Sequence, residues 1–297
     1  MPIELHCHTL FSVDAHGTPE SLVEEAHKRG VKTLAITEHN NLHSYDRGAR
    51  HAEKYGIHYL SGIELDAIWN GRQFHFVGLG VDPKDPHLQQ LSLRHLAVYT
   101  RFHDLVLEEM ATLGFSVSSE QLQEDYALRY PTHPCPIPNV WHLRDFYPQR
   151  SGFDPTAVEE AFKIATREAK KHPSAPPAIG HFDEVYRIVR ESGGILLLAH
   201  VAKYFPGDVS AQIQLIDELM DAGLDGFELY HPRNLAEPHF DQLRNFAEAH
   251  QYLISGGSDS HSTPGEIGTC GAPDSLIEPL LEAIETRSHR HSDCCGE

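Results

Sequence analysis

Gly194-Ile195-Leu196-Leu197-Leu198-Ala199-His200 is the stretch that decides the fold class. Its apolar run is unbroken, with no polar residue alternating along it. A run so short and so apolar suits a strand covered on both faces, the habit of parallel sheets built from βα units. Downstream, Gly226-Phe227-Glu228-Leu229-Tyr230 and Tyr252-Leu253-Ile254-Ser255 read as further strands, with helical patterns near 210–222, 236–250 and 279–287. Upstream, Ile3-Glu4-Leu5-His6 precedes a helix opened by Thr18 as N-cap and Pro19 at its first position. Leu22, Val23 and Ala26 share one face of that helix, and Gly30 ends it. Lys32–Thr37, a helix near Tyr45–Tyr55, Ile57–Ile63 and Phe74–Leu79 continue the series. The alternation predicts an α/β fold with about seven strands, close to the eight of a full βα barrel.

Residues 85–180 break the rhythm. A long helical pattern near 87–113 leads to Gly114-Phe115-Ser116-Val117-Ser118 and a proline-rich stretch from Tyr130 to Pro138. Asp154-Pro155 then opens another helix as N-cap and first residue. The expected organisation is a first barrel part over 1–84, a mostly helical insertion over 85–180, a second barrel part over 181–287 and a mobile polar tail over 288–297. The insertion is expected to cover one barrel mouth as a lid, with Asn139, Trp141, His142 and Arg144 as candidates to line it.

Composition excludes several classes. The chain has 297 residues, 24 Lys plus Arg against 43 Asp plus Glu, and a formal net charge of −19. That balance disfavours long nucleic acid, whose binding needs many cationic contacts to phosphate. No apolar run approaches the length that crosses a bilayer. The first residues lack the basic and apolar regions of a secretory signal, and five cysteines form no paired framework. A cytoplasmic location is expected, with no membrane partner; the oligomeric state stays open.

Histidine is over-represented, with 23 residues, and the informative ones sit at predicted strand ends. His6 and His8 lie two apart, so on a strand both rings face one side and can grip one cation. Asp14 follows in the loop. The next strand ends in Thr37-Glu38-His39 and the third in Gly62-Ile63-Glu64, His75 lies on the fourth, and the apolar strand ends at His200. The last runs into Gly256-Gly257-Ser258-Asp259-Ser260-His261. In a βα barrel the C-terminal strand ends converge on one mouth. So many imidazoles and carboxylates there would repel or desolvate one another unless cations held them.

His6-Cys7-His8, Thr37-Glu38-His39, Ala199-His200 and Gly257-Ser258-Asp259-Ser260-His261 resemble the four ordered motifs of the polymerase and histidinol phosphatase (PHP) family. The segment from Leu224 to Pro232 is similar to the family's strand before the last motif. The resemblance covers about residues 1–82 and 190–287. It implies a distorted seven-stranded (β/α)7 barrel around two to three divalent metal ions. By position, His6, His8, Glu64 and Asp259 would hold the first ion. Asp14, His39 and His261 would hold the second, and His75 and His200, with Glu64 bridging, the third. Two positions depart from the family pattern: Glu38 replaces the usual Asp, and Val201 stands where Pro is frequent. Mixed imidazole and carboxylate ligands suit Mn²⁺, Zn²⁺ or Fe²⁺ better than Ca²⁺ or Mg²⁺.

The expected reaction is hydrolysis of a phosphate ester by metal-activated hydroxide, in line and without a covalent intermediate. Asp14, His231 and Lys203 are the candidate catalytic residues, His231 as general acid to the leaving oxygen. Lys203, Arg233 and His231 are the candidates for binding substrate. The expected partner is a small phosphorylated metabolite (a nucleotide, a nucleoside bisphosphate or a cyclic sugar phosphate) or a short oligonucleotide. Metal-dependent amide hydrolysis, trimming of short RNA ends and a non-catalytic metal-binding module are the alternatives.

Overall fold

The computed structural model describes residues 3–12, 14–129, 140–149, 152–172, 179–261 and 266–295. Seven strands form one sheet in chain order: β1 (Ile3–Glu4), β2 (Thr33–His39), β3 (His58–Trp69), β4 (Arg72–Leu79), β5 (Ile195–Leu198), β6 (Gly226–Tyr230) and β7 (Leu253–Gly256). The pairs β1–β2, β2–β3, β5–β6 and β6–β7 are parallel, whereas β4 is antiparallel to both β3 and β5. The sheet is therefore mostly parallel, as the apolar runs implied, with one reversed strand.

The reversal has a local cause. Asn70 (φ 48°) and Gly71 (φ 75°) form a two-residue turn between β3 and β4. Asn-Gly tolerates positive φ at both places, and such a turn matches the twist of a hairpin. β3 consequently runs on to Trp69, past the expected end at Glu64. Glu64 sits in mid-strand, and β4 delivers His75 near its start.

The edge strands also meet. Leu5 N–H donates to Gly256 O (3.1 Å), Asp259 N–H to His6 O (2.7 Å) and His8 N–H to Ser260 O (3.0 Å). Cys7 and Ser260 form a parallel bridge. These bonds lay the chain leaving β7 alongside the chain leaving β1, which puts the first and last histidine motifs side by side. Gly257 permits the approach, because a Cβ there would lie 2.4 Å from His6 N.

Helices flank the sheet: α1 (Pro19–Lys28), α2 (Tyr45–Tyr55), α3 (Pro86–Thr112), α4 (Ser119–Arg129), α5 (Val140–Gln149), α6 (Pro155–Ala169), α7 (Phe182–Glu191), α8 (Val209–Asp221), α9 (Pro232–Leu235), α10 (Phe240–His250) and α11 (Asp274–Cys295). The Thr18 cap on α1 is a full capping box, and the Asp154 carboxylate accepts Ala157 N–H at the start of α6. α7 went unread in the sequence; its buried Phe182, Val185, Ile188 and Val189 make one apolar stripe. α11 extends past residue 287 to Cys295. Among the described residues no helix is long and apolar enough to cross a membrane.

Three clusters of buried side chains matter for the site. Leu65, Phe76, Leu196, Leu198 and Phe227 pack with α7 and α8 on one face of the sheet. On the other, Ala35, Leu60, Val77, Leu79, Ile195 and Leu197 meet Ile277, Leu280 and Ile284 of α11. Side chains alternate along a strand, so this second face also carries His39, Glu64 and His75, two residues or a multiple of two beyond those apolar positions. Apolar packing fills one end of that face, and polar ligands occupy the other. A third cluster joins Leu105, Val106 and Met110 of α3 to residues of α4, α5 and α6, such as Tyr126, Phe146 and Ala165. The helices of the 85–180 span thus have a core of their own. α3 is shared, since its Leu88 and Leu91 pack with the sheet.

A Gly257→Ala protein should lose about 1–3 kcal/mol of stability through overpacking against His6, together with most of its bound metal. Calorimetric unfolding and elemental analysis check both, and wild-type values for both would show that the two segments do not need this close contact.

Candidate metal centre

Six chain segments deliver the ligands that the sequence singled out, and all nine converge. His6 and His8 are buried beside β1, and their Nε2 atoms point the same way. Asp259 Oδ1 lies 3.4 Å from His6 Nε2 and 3.2 Å from His8 Nε2. Glu64 completes this group, with Oε1 3.5 Å from His6 and Oε2 3.4 Å from His8. The donor atoms of these four residues all lie within 4.8 Å of one another.

Asp14 Oδ2 lies 3.5 Å from both His39 Nε2 and His261 Nε2, which are 3.3 Å apart. His8 joins His39 and His261 within the same reach. In the third group, His75 Nδ1 (2.8 Å) and His200 Nε2 (3.0 Å) both face Glu64 Oε1. His39 Nδ1, 2.7 Å from Glu64 Oε2, also belongs to it. The first expected set recurs intact; in the second His8 joins His39 and His261 where Asp14 was expected, and in the third His39 joins Glu64 and His75 where His200 was expected, so that His8, His39 and Glu64 each belong to two groups.

Two of these residues are held in unusual backbone shapes. His200 (φ 32°) and Asp259 (φ 52°) adopt left-handed conformations without being glycine, which costs of order 1–3 kcal/mol each. Hydrogen bonds fix both: His200 N–H donates to Glu228 Oε2 (2.9 Å) and Asp259 N–H to His6 O (2.7 Å). Glu228 Oε1 also faces His6 Nδ1 at 3.0 Å, which leaves Nε2 of that ring for the cluster. Asp66 treats His75 similarly, with Oδ1 3.3 Å from Nε2, and is itself held by Asn40, Gln73 and Tyr99. Glu4 accepts the backbone N–H groups of His6, Ser258 and Gly268. Such outer partners orient ligand rings and set their tautomers.

The electrostatics are discordant in a telling way. Burial, with His261 and His39 close by, pulls the His8 imidazole down to about 3. Burial also works to lower His6, but Glu228, Glu64 and Asp259 hold it well above its ordinary value. Against burial, which raises a carboxyl, His39, His75 and His6 keep Glu64 well below the carboxylate range. Asp14 is likewise held at about 2, burial being outweighed by His39 and His261. Meanwhile His6 Nε2, His8 Nε2 and Asp14 Oδ1 are buried without a hydrogen-bond partner. Buried orphan acceptors that aim at one another are costly. Divalent cations would satisfy most of these atoms at once, so the residues present fit a metal cluster.

A cavity of about 450 Å³ opens over the cluster. Asp14, His39, Glu64, His75, His200, Asp259 and His261 line it, and so do Lys203 and Arg233. His231 is buried instead: its Nε2 faces Asp259 Oδ2 at 3.3 Å, while its Nδ1 accepts Arg233 N–H at 3.1 Å. That arrangement suits orienting Asp259 better than protonating a leaving group. Sequence reasoning missed Phe11, Ser12, Asn41, Leu96 and Tyr99 in the lining. It also missed Glu228, although a carboxylate inside the apolar run Gly226–Tyr230 was a signal. Of the candidates on the helical span, His142 is buried against Tyr126 (ring centroids 4.6 Å apart) and does not line the cavity, nor does Arg144. Asn139 and the Trp141 side chain lie outside the described residues.

Residues 4–137 match the family model described as the PHP domain. A phosphoribosyl 1,2-cyclic phosphate 1,2-diphosphodiesterase from Eggerthella lenta is 27% identical, over 90% of this chain and 97% of its own length. A 3′,5′-nucleoside bisphosphate phosphatase from Chromobacterium violaceum is 26% identical, over 98% and 99%. Among solved structures, a protein from Chromobacterium violaceum described as an amidohydrolase with bound sulfate and no metal has a TM-score of 0.72 at 21% identity, covering 97% of each chain. A candidate metal-dependent phosphoesterase from Bifidobacterium adolescentis has 0.68 at 24%, covering 96% of this chain and 95% of that one. Likeness to solved structures at this identity concerns the fold. The two curated relatives act on phosphate esters, consistent with a phosphoric ester hydrolase.

Chelating this protein should lower its unfolding temperature by about 5–10 °C, because a ligand bound only by the native state stabilises it by mass action. Mn²⁺, Zn²⁺ or Fe²⁺ should restore it. Superimposable calorimetric transitions before and after chelation would mean that the side chains gather without a cation.

Proposed function

We propose that this chain is a metal-dependent phosphoesterase that hydrolyses a small phosphate ester: a nucleotide-like 3′-phosphate, a nucleoside bisphosphate or a cyclic ribose phosphate. One observation carries the reading. The ligand cluster and two cationic side chains, Lys203 and Arg233, face the same cavity, whose size suits a ligand of nucleotide dimensions. The backbone bonds from Leu5, His8 and Asp259 support a distorted barrel whose mouth holds the site, and Leu96 and Tyr99 support a lid role for the helical span.

His6, His8, Glu64 and Asp259 would hold one ion, Asp14, His39 and His261 a second, and His75 and His200, with Glu64 between, a third. When bound, such cations lower the pKa of a water toward neutrality and offset charge on phosphoryl oxygens. Lys203 and Arg233 take the phosphate oxygens that face away from the cluster, which fixes the phosphorus for in-line attack. Asp14 Oδ1, buried and free of any hydrogen bond, would accept a hydrogen bond from the attacking water and orient it. His231 Nε2–H steadies Asp259. Ser12 lines the cavity, but its hydroxyl donates to Glu38 and accepts His39 N–H. It is therefore engaged, which favours water over a side-chain nucleophile.

Asp259→Ala should abolish turnover and strip most bound metal while the fold survives. Lys203→Ala should raise KM about 10-fold with kcat little changed, the loss of one charge-assisted hydrogen bond. Both are read on a panel of nucleotides, bisphosphates, cyclic phosphates and short oligoribonucleotides, with p-nitrophenyl phosphate and simple amides as references. Metal-loaded protein that cleaves amides and no phosphate ester would overturn the assignment.

A further inference from the structure

His8 contributes to two of the three ligand groups. Its Nε2 faces Asp259 and Glu64, so that nitrogen must be bare if it is to bind a cation. What keeps it bare is a chain of forced donor and acceptor choices on the other side of the ring. His8 Nδ1 lies 3.0 Å from Ser12 Oγ. Ser12 Oγ also receives the N–H of His39 at 3.0 Å and is hydrogen-bonded to Glu38 Oε2. Glu38, fully buried at the end of β2, takes Thr9 N–H on the same oxygen (3.1 Å) and the Thr9 hydroxyl on the other.

An ionised carboxylate only accepts, and a serine hydroxyl has one proton to give. Ser12 gives that proton to Glu38. Its oxygen then has lone pairs alone to offer, and these accept from His39 N–H and from His8. The His8 proton must therefore reside on Nδ1, and Nε2 presents its lone pair to the cluster. We propose that Glu38, acting through Ser12, is a positioning residue that selects the ligand-competent tautomer of His8. Glu38 lines no part of the cavity and belongs to none of the ligand groups. The inference rests on the metal-centre reading, but its first readout needs neither metal nor substrate.

That readout is the ¹⁵N chemical shifts of the His8 ring in metal-free protein at neutral pH, which distinguish a protonated ring nitrogen from a bare one. Wild type should carry its proton on Nδ1. In Ser12→Ala the acceptor is gone, and in Glu38→Ala the serine proton is free to turn toward His8. Both should populate the Nε2–H form and weaken Mn²⁺ binding about 10–100-fold, measured by titration calorimetry. Glu38→Gln separates this role from simple packing. Its amide oxygen can take both Ser12 and Thr9 N–H while its NH₂ meets the Thr9 hydroxyl, so tautomer and affinity should stay near wild type.

Three results would overturn the inference: a wild-type ring protonated on Nε2, a Glu38→Gln protein that behaves like Glu38→Ala, or weaker Mn²⁺ binding in the alanine variants with the tautomer unchanged. Should Glu38→Ala fail to fold, Ser12→Ala and Glu38→Gln still decide. Wild type with the Nδ1 proton but no activity on any phosphate ester would sink the proposed reaction and leave this inference standing.

Discussion

One buried carboxylate organises this molecule. Glu64 has the rings of His6, His8, His39, His75 and His200 within 3.5 Å of its two oxygens. A single negative charge cannot serve five imidazoles. If several rings are protonated, they repel one another across a few ångströms; if they are neutral, several lone pairs face an acceptor. Neither state is comfortable at low dielectric. Positive charge from outside the chain would resolve both problems, and the grouping of donor atoms around Glu64 leaves room for it.

The fold accepts several local penalties to build that environment. One strand runs against its neighbours so that His75 stands opposite Asp66 and near Glu64. Two ligands sit in left-handed backbone, and a glycine lets the chain after β7 touch the one after β1. Each feature is tolerable because its surroundings over-determine it. Glu228 illustrates the economy of this arrangement: one oxygen orients the His6 ring and the other holds the turn at His200. A substitution there would disturb ligands from two distant parts of the chain.

Much of this was legible in the sequence, for identifiable reasons. Unbroken apolar runs such as Ile195–Leu198 announce strands buried on both faces, and polar residues at their ends announce a shared rim. Period-two spacing placed His6 and His8 on one side. The β3–β4 hairpin was missed because attention to apolar runs passed over Asn70-Gly71, a turn signal that depends on φ rather than hydrophobicity. Glu228, Asp66 and Glu4 were missed for a different reason. A lone acid within an apolar strand has meaning only when its partner is known, and the partners of Glu228 and Glu4 include segments hundreds of residues away in the chain. The lining residues Leu96 and Tyr99 lie on α3, whose register over the cavity depends on packing across two cores.

The distribution of buried charge also separates two kinds of acid in the same site. Glu64, Asp14 and Asp259 keep oxygens that face the cluster, and Asp14 Oδ1 has no hydrogen bond at all. Glu38, Asp66 and Glu228 are instead saturated with donors from serine, threonine, asparagine, glutamine, tyrosine, histidine and backbone. A saturated carboxylate is a rigid reference: it fixes the direction of every proton around it and has little capacity left to bind a cation. An unsaturated one is under electrostatic tension that a cation relieves. The saturated acids stand behind the rings of His6, His75 and, through Ser12, His8, and the unsaturated acids stand in front, so these three rings offer the cluster one nitrogen each. The same chain can then hold many ionisable groups in one small volume without their protons wandering among them.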